Sequence, residues 1–172
     1  MTNQSAALPI AHITLKIFIV LNLLWAVAIA LLLLAMPYRE WIISALDLSA
    51  ALDVERVIAA MRRIALLGVL AIGLNHMVLT RLLAIVRTVG DGDPFVAGNA
   101  ARLRTIAWTL LVLQLIGMGI EAIAKTISTP ANPVNLETGF SLNGWLAVVL
   151  MFVLARVFTV GAAMRSDLEG TI

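Results

Sequence analysis

Four stretches of the chain run for about 20 residues with almost no polar side chain, the length a helix needs to cross a hydrocarbon core about 30 Å thick. The first span is residues 14–36, with an unbroken apolar run from Ile17 to Met36 except for Asn22; the others are Ile64 to Val86, Thr105 to Ile127 and Leu142 to Met164. Lipid offers backbone amides no partner, so each run must close its own hydrogen-bond ladder as a helix. Pro37, Tyr38 and Arg39 end the first span near the interface. The pattern predicts an all-α integral membrane four-helix bundle, with residues 1–172 forming a single domain.

Between the first two spans the pattern changes. Trp41, Ile42, Ile43, Ala45 and Leu46, then Leu52, Val54, Val57, Ile58 and Met61, recur at helical spacing among Glu40, Asp47, Asp53, Glu55 and Arg56. This predicts a short interfacial helix followed by an amphipathic extension of the second span above the bilayer. The 128–141 segment carries Pro130, Asn132 and Pro133 and is expected to be irregular.

Composition agrees with lipid as solvent. Of 172 residues, 62% are hydrophobic and 13% charged, against about a quarter charged in soluble domains. The net charge of +2 is too sparse for a nucleic-acid-binding stripe, and with no cysteine there is no disulfide, thiolate metal site or thiol nucleophile. The first apolar run exceeds a signal peptide's core and follows a weakly charged leader, so a retained helix is expected. Arg81, Arg87, Arg102 and Arg104 flank the short 87–104 turn. With Lys16 and Arg165 these make six cations on one face, against Arg39, Arg56, Arg62, Arg63 and Lys125 on the other, so the charge balance is narrow. Weighting the short turn puts both termini in the cytoplasm.

Inside the spans the few polar residues become informative. Counted from the outer end of each span, Asn22, Asn75, His76, Gln114 and Arg156 all fall roughly 18 to 21 Å down, suggesting a shared polar layer. Arg156 should face the bundle interior or reach toward the inner surface. Glu121, one face with Gln114 but nearer the outside, is expected to pair with Arg62 or Arg63. Such a layer could be a ligand or ion path, or simply interhelical hydrogen bonding, and the latter is the commoner case. His76 has no second nitrogen or carboxylate at metal-ligand spacing. Zinc-helix, serine-elbow and phosphate-loop motifs are absent, so no catalytic, metal or cofactor residue is assigned.

The turn between spans two and three carries Gly90-Asp91-Gly92-Asp93-Pro94-Phe95, then Asn99 and Arg102-Leu103-Arg104. Gly and Asp turn the chain, Pro94 suits the start of a helix, Phe95 can dip into the interface, and the arginines can reach lipid phosphates. These residues, with the ending Phe158, Gly161 and Met164 to Ile172 (including Arg165, Asp167, Leu168 and Glu169), resemble the bacterial membrane proteins of the domain-of-unknown-function 2975 (DUF2975) family. The resemblance implies a four-helix protein of the bacterial cytoplasmic membrane with no established activity. It also implies a genetic association with a small Xre-type helix-turn-helix regulator, and hence a membrane partner for a transcription factor. The docking residues would be the turn (Asp91, Asp93, Phe95, Asn99, Arg102, Arg104) and the tail (Arg165, Asp167, Leu168, Glu169).

Two functions follow from the residues. A non-enzymatic sensor or sequestering protein would use the turn and tail. A small transporter or toxin-immunity protein would instead line a path with Arg156, Gln114, Glu121 and His76. An intramembrane enzyme lacks a nucleophile and base at usable spacing.

Overall fold

The computed structural model describes residues 4–38, 54–128 and 139–169, and the side chains of residues 7–38, 54–128 and 139–167. The described residues form four helices: α1 (Gln4–Ala35), α2 (Val54–Gly90), α3 (Ala97–Lys125) and α4 (Leu142–Glu169). Each contains a stretch long and apolar enough to cross a membrane. The protein is an all-helical multipass membrane protein. The interfacial helix expected around Trp41 to Leu46 and the Pro130 to Pro133 part of the loop lie outside the described residues. The amphipathic extension of the second span is present from Val54, as the first turns of α2.

The helices outrun the apolar spans because a helix need not stop where lipid does. α1 is helical 13 residues before Ile17 and contains Pro9. α3 begins eight residues before Thr105, and α4 continues through the tail to Glu169. Residues 164–169 of the tail therefore continue the helix of the last span.

Exposed and buried surfaces are inverted relative to a soluble protein. Trp25 is 66% and Leu34 71% exposed on α1, and large apolar side chains cover the outside of every helix. In water such a continuous apolar surface would drive aggregation. Against acyl chains it costs nothing, and what lies between the helices must then be held by close packing. Six of the buried residues are alanines, namely 60, 65, 100, 107, 124 and 155. Small side chains bring backbones near enough for dispersion to act. Among the described residues an apolar cluster seals α1 against α2 around Met36 and Ala65, with Ile29, Leu32, Leu33, Ile58 and Met61 packed on it.

Packing is strongest between consecutive helices, in the order α1, α2, α3, α4, and it fixes their registers. Ile29 touches Gly68, Leu67 lies against Gly119, Thr109 reaches Met77, and Gln114 reaches Gly144. The antiparallel alternation places the start of α1, the α2–α3 turn and the end of α4 together, here called the turn end. The opposite end is the loop end.

Candidate functional site

The turn end is built around the side chain of Asn99, which is wholly buried. α2 terminates with Gly92 at φ 87°, a left-handed conformation that glycine adopts without steric cost. The Gly92 N–H donates to Val89 O at 3.2 Å and the Asp93 N–H to Thr88 O at 3.1 Å. This paired pattern is a Schellman stop, which satisfies carbonyls that the helix end would leave open. Gly92 is thus required by the backbone, and the chain leaves α2 toward α3 in one fixed direction.

α3 starts at Ala97, three residues beyond the start that Pro94 suggested. Pro94 instead sits in the turn, where its carbonyl accepts a hydrogen bond from Asn99 Nδ2 at 2.9 Å. The same amide nitrogen lies 2.7 Å from Thr88 Oγ1, while Arg102 donates to Asn99 Oδ1 at 2.7 Å. One amide therefore ties the last turns of α2, the connecting turn and the first turns of α3 together. With its donors and acceptor all used, it is the kind of fully satisfied buried polar group that rigidifies a structure.

The turn is also fastened to α4. Asp93 and Arg165 form an ion pair, and the Phe95 ring packs on Phe158 with centroids 5.2 Å apart. A Cβ on Gly161 would meet the Phe95 ring at 2.6 Å, so this glycine makes the seat for the aromatic ring. Phe95 packs on α4 and keeps 41% of its surface exposed, so contact with α4 and with the interface are compatible. The turn and the tail are accordingly one surface. Arg104 and Asp167 stand exposed on it, and Asp167 is itself engaged by a neighbour. Glu169 ends α4 and its side chain lies outside the described set, as does that of Leu168.

The six polar residues of the spans do not converge. With Ile29 against Gly68, the antiparallel register sets Asn22 level with Asn75 and His76. Asn22 Oδ1 and His76 Nδ1 are both buried without a hydrogen-bond partner, whereas Asn75 points to the exposed side of α2. Gln114 lies nearer the loop end, where it donates to Gly139 O at 3.1 Å. Arg156 is twelve residues beyond Gly144, the residue level with Gln114, and so lies about 18 Å closer to the turn end. It is exposed, not turned to the bundle interior. The common depth expected for Arg156 and Gln114 fails because α4 starts level with Ile116, well inside the loop end of α3. Counting each span from its own end assumed that all began at one plane.

Glu121 pairs with Lys125 at 2.7 Å, and not with Arg62 or Arg63, which are exposed on α2. An i, i+4 partner on the same helix needs no interhelical alignment, which favours it over a more distant arginine. The carboxylate fills the space over Gly139: a Cβ there would stand 1.1 Å from Glu121 Oε2, and one on Gly144 would stand 2.2 Å from Gln114 Oε1. These two glycines let α4 begin against the polar face of α3. Gly139, Gly144 and Thr88 were not singled out from the sequence. The only signal was glycine at the start of a span opposite polar residues of the preceding one, and a threonine just before the turn. Arg81, counted as a charge flanking the turn, lies within α2 with Nε buried and unpartnered. Among the described residues no group of three His, Cys, Asp or Glu side chains could hold a metal ion.

Comparison with protein-family models, curated proteins and solved structures finds no match to this chain.

Proposed function

We propose that this multipass membrane protein is non-enzymatic, that it is of the DUF2975 kind, and that its turn-and-tail face holds a small Xre-type helix-turn-helix regulator at the bacterial cytoplasmic membrane. In this reading both termini and the turn are cytoplasmic. The observation that carries it is the joining of turn and tail by Asp93 and Arg165 beside the Asn99 lock. A surface held by packing and satisfied hydrogen bonds is preorganised, and so binds without a large ordering cost. Its rim presents Asp91 and Arg104 as exposed charges, the type of group that sets partner choice and orientation. The alternative, a small transporter or toxin-immunity protein with a polar intramembrane site, draws less support from an arrangement in which Asn75 and Arg156 point outward and Gln114 and Glu121 are already bonded.

The test is purification of the tagged chain from its native membrane in mild detergent, followed by identification of what accompanies it. A DNA-binding regulator is expected, and Asp167→Arg or Arg104→Glu should reduce its recovery at least tenfold with the bundle still folded by circular dichroism. Recovery of no regulator, or undiminished recovery with both variants, would remove the proposal.

A further inference from the structure

Helices lined with small residues normally close on each other. Near the turn end α3 and α4 leave a groove between them. Ala97 and Ala101 on α3 face Ala162 and Ala163 on α4 across an open groove of about 660 Å³. On the turn side of the groove the Phe95 ring occupies the position a Gly161 side chain would need and rests on Phe158. Deeper along the same seam Trp108 meets Phe152 edge to face, centroids 5.2 Å apart, and α3 and α4 are joined again. The groove is thus bounded by one aromatic contact near the turn and another toward the membrane interior.

Its walls combine apolar and cationic chemistry. The threonine hydroxyls along it donate to carbonyls of their own helices, Thr105 to Ala101 O at 3.0 Å and Thr159 to Ala155 O at 2.7 Å, so their protons are already used. Ser166 stands at the mouth and Arg104 on the α3 wall. Nearby arginines are neutralised or bonded within the protein: Arg165 pairs with Asp93 and Arg102 donates to Asn99. Arg104 has no carboxylate partner among the described residues. It lies seven residues into α3, about 10 Å from the helix start, a depth from which a guanidinium extends to the level of lipid phosphates.

We infer that this groove is a binding site for an anionic phospholipid of the surrounding leaflet, with its headgroup phosphate on Arg104 and Ser166 and the upper part of an acyl chain along the alanines. Lipid is what faces the outside of this bundle, so the groove is filled from the bilayer. The uncompensated guanidinium selects a headgroup of net negative charge over a zwitterionic one, whose ammonium would bring a second cation to the site. Arg104 also belongs to the rim of the proposed regulator surface, but lipid retention by the chain alone is read without a regulator, so the two proposals fail separately.

The test is native mass spectrometry of the full chain in detergent micelles with equal amounts of phosphatidylglycerol and phosphatidylcholine. The wild type should retain phosphatidylglycerol about fivefold more than phosphatidylcholine, the preference expected for about 1 kcal/mol from one basic side chain. Arg104→Gln should bring the ratio near one, whereas Arg104→Lys, and Arg63→Gln at the loop end, should keep it. Ala162→Leu, which fills the groove and leaves every charge in place, should lower retention of both lipids. Equal retention by the wild type would overturn the assignment, as would an unchanged preference in Arg104→Gln or undiminished retention of both lipids in Ala162→Leu. So would a spectrum dominated by a lipid-free dimer, which would mean that a second copy occupies the groove.

Discussion

Replacing Leu24 with arginine is expected to cost about 2.5 to 3.5 kcal/mol of membrane insertion for α1, the range measured for a cation at the centre of a spanning helix. Leu24 is 60% exposed and touches no cluster whose loss could explain a defect. On a water-soluble protein a leucine so exposed could become arginine with a change within about 0.5 kcal/mol. The two solvents therefore predict opposite results at one position. Glycosylation mapping of α1 insertion should show the inserted fraction falling steeply for Leu24→Arg and unchanged for Leu24→Phe. Equal insertion of all three would mean that this face does not meet hydrocarbon.

Asn99→Leu should be the most destabilising single change at the turn end. Leucine is of similar size but leaves the Pro94 carbonyl, the Thr88 hydroxyl and the Arg102 guanidinium without the amide that serves them. Each buried group left unpaired costs about 1 to 3 kcal/mol, and more when it is charged. Partial rescue by water at the turn end lowers the sum, so a loss of about 2 to 4 kcal/mol is expected. Thermal unfolding in detergent, followed by tryptophan fluorescence, should show a clear fall in midpoint. Thr88→Val should cost less, and adding it to Asn99→Leu should cost less than the sum, because both remove the same bond. A midpoint for Asn99→Leu equal to wild type would show that the amide does not hold the turn.

The sequence and the structure agree where burial in lipid alone decides the outcome. The four spans were legible because the backbone must be helical wherever water is excluded, whatever the side chains. The amphipathic start of α2 was legible from Val57, Ile58 and Met61 at helical spacing. What failed depended on the relative heights of helices, which no single helix encodes. Arg156 and Gln114 have similar positions within their own spans, yet Gly144 meets Gln114 and leaves Arg156 far toward the other end. Glu121 and Lys125 show the same limit from the other side, since a partner one turn away on the same helix outcompetes Arg62 or Arg63 across an interface.

The turn was legible in part. Asn99 and the glycine-aspartate run stood out as polar residues at a hairpin between two spans. Their function depended on Thr88, and Phe95 depended on Gly161, a residue 66 positions later whose missing side chain makes the seat. Sequence spacing carries no sign of that pairing.

The claim beneath all of this is that hydrocarbon, not water, surrounds the helices. The chain has no cysteine of its own, so single cysteines placed at Leu24, Val149 and Asp91 can be labelled in native membranes with a water-soluble, membrane-impermeant maleimide after the vesicles are opened. The account predicts rapid labelling at Asp91→Cys, on the exposed turn, and almost none at Leu24→Cys or Val149→Cys until the membrane is dissolved and the chain denatured. Labelling of the two mid-helix positions in intact bilayer as fast as the turn would contradict it.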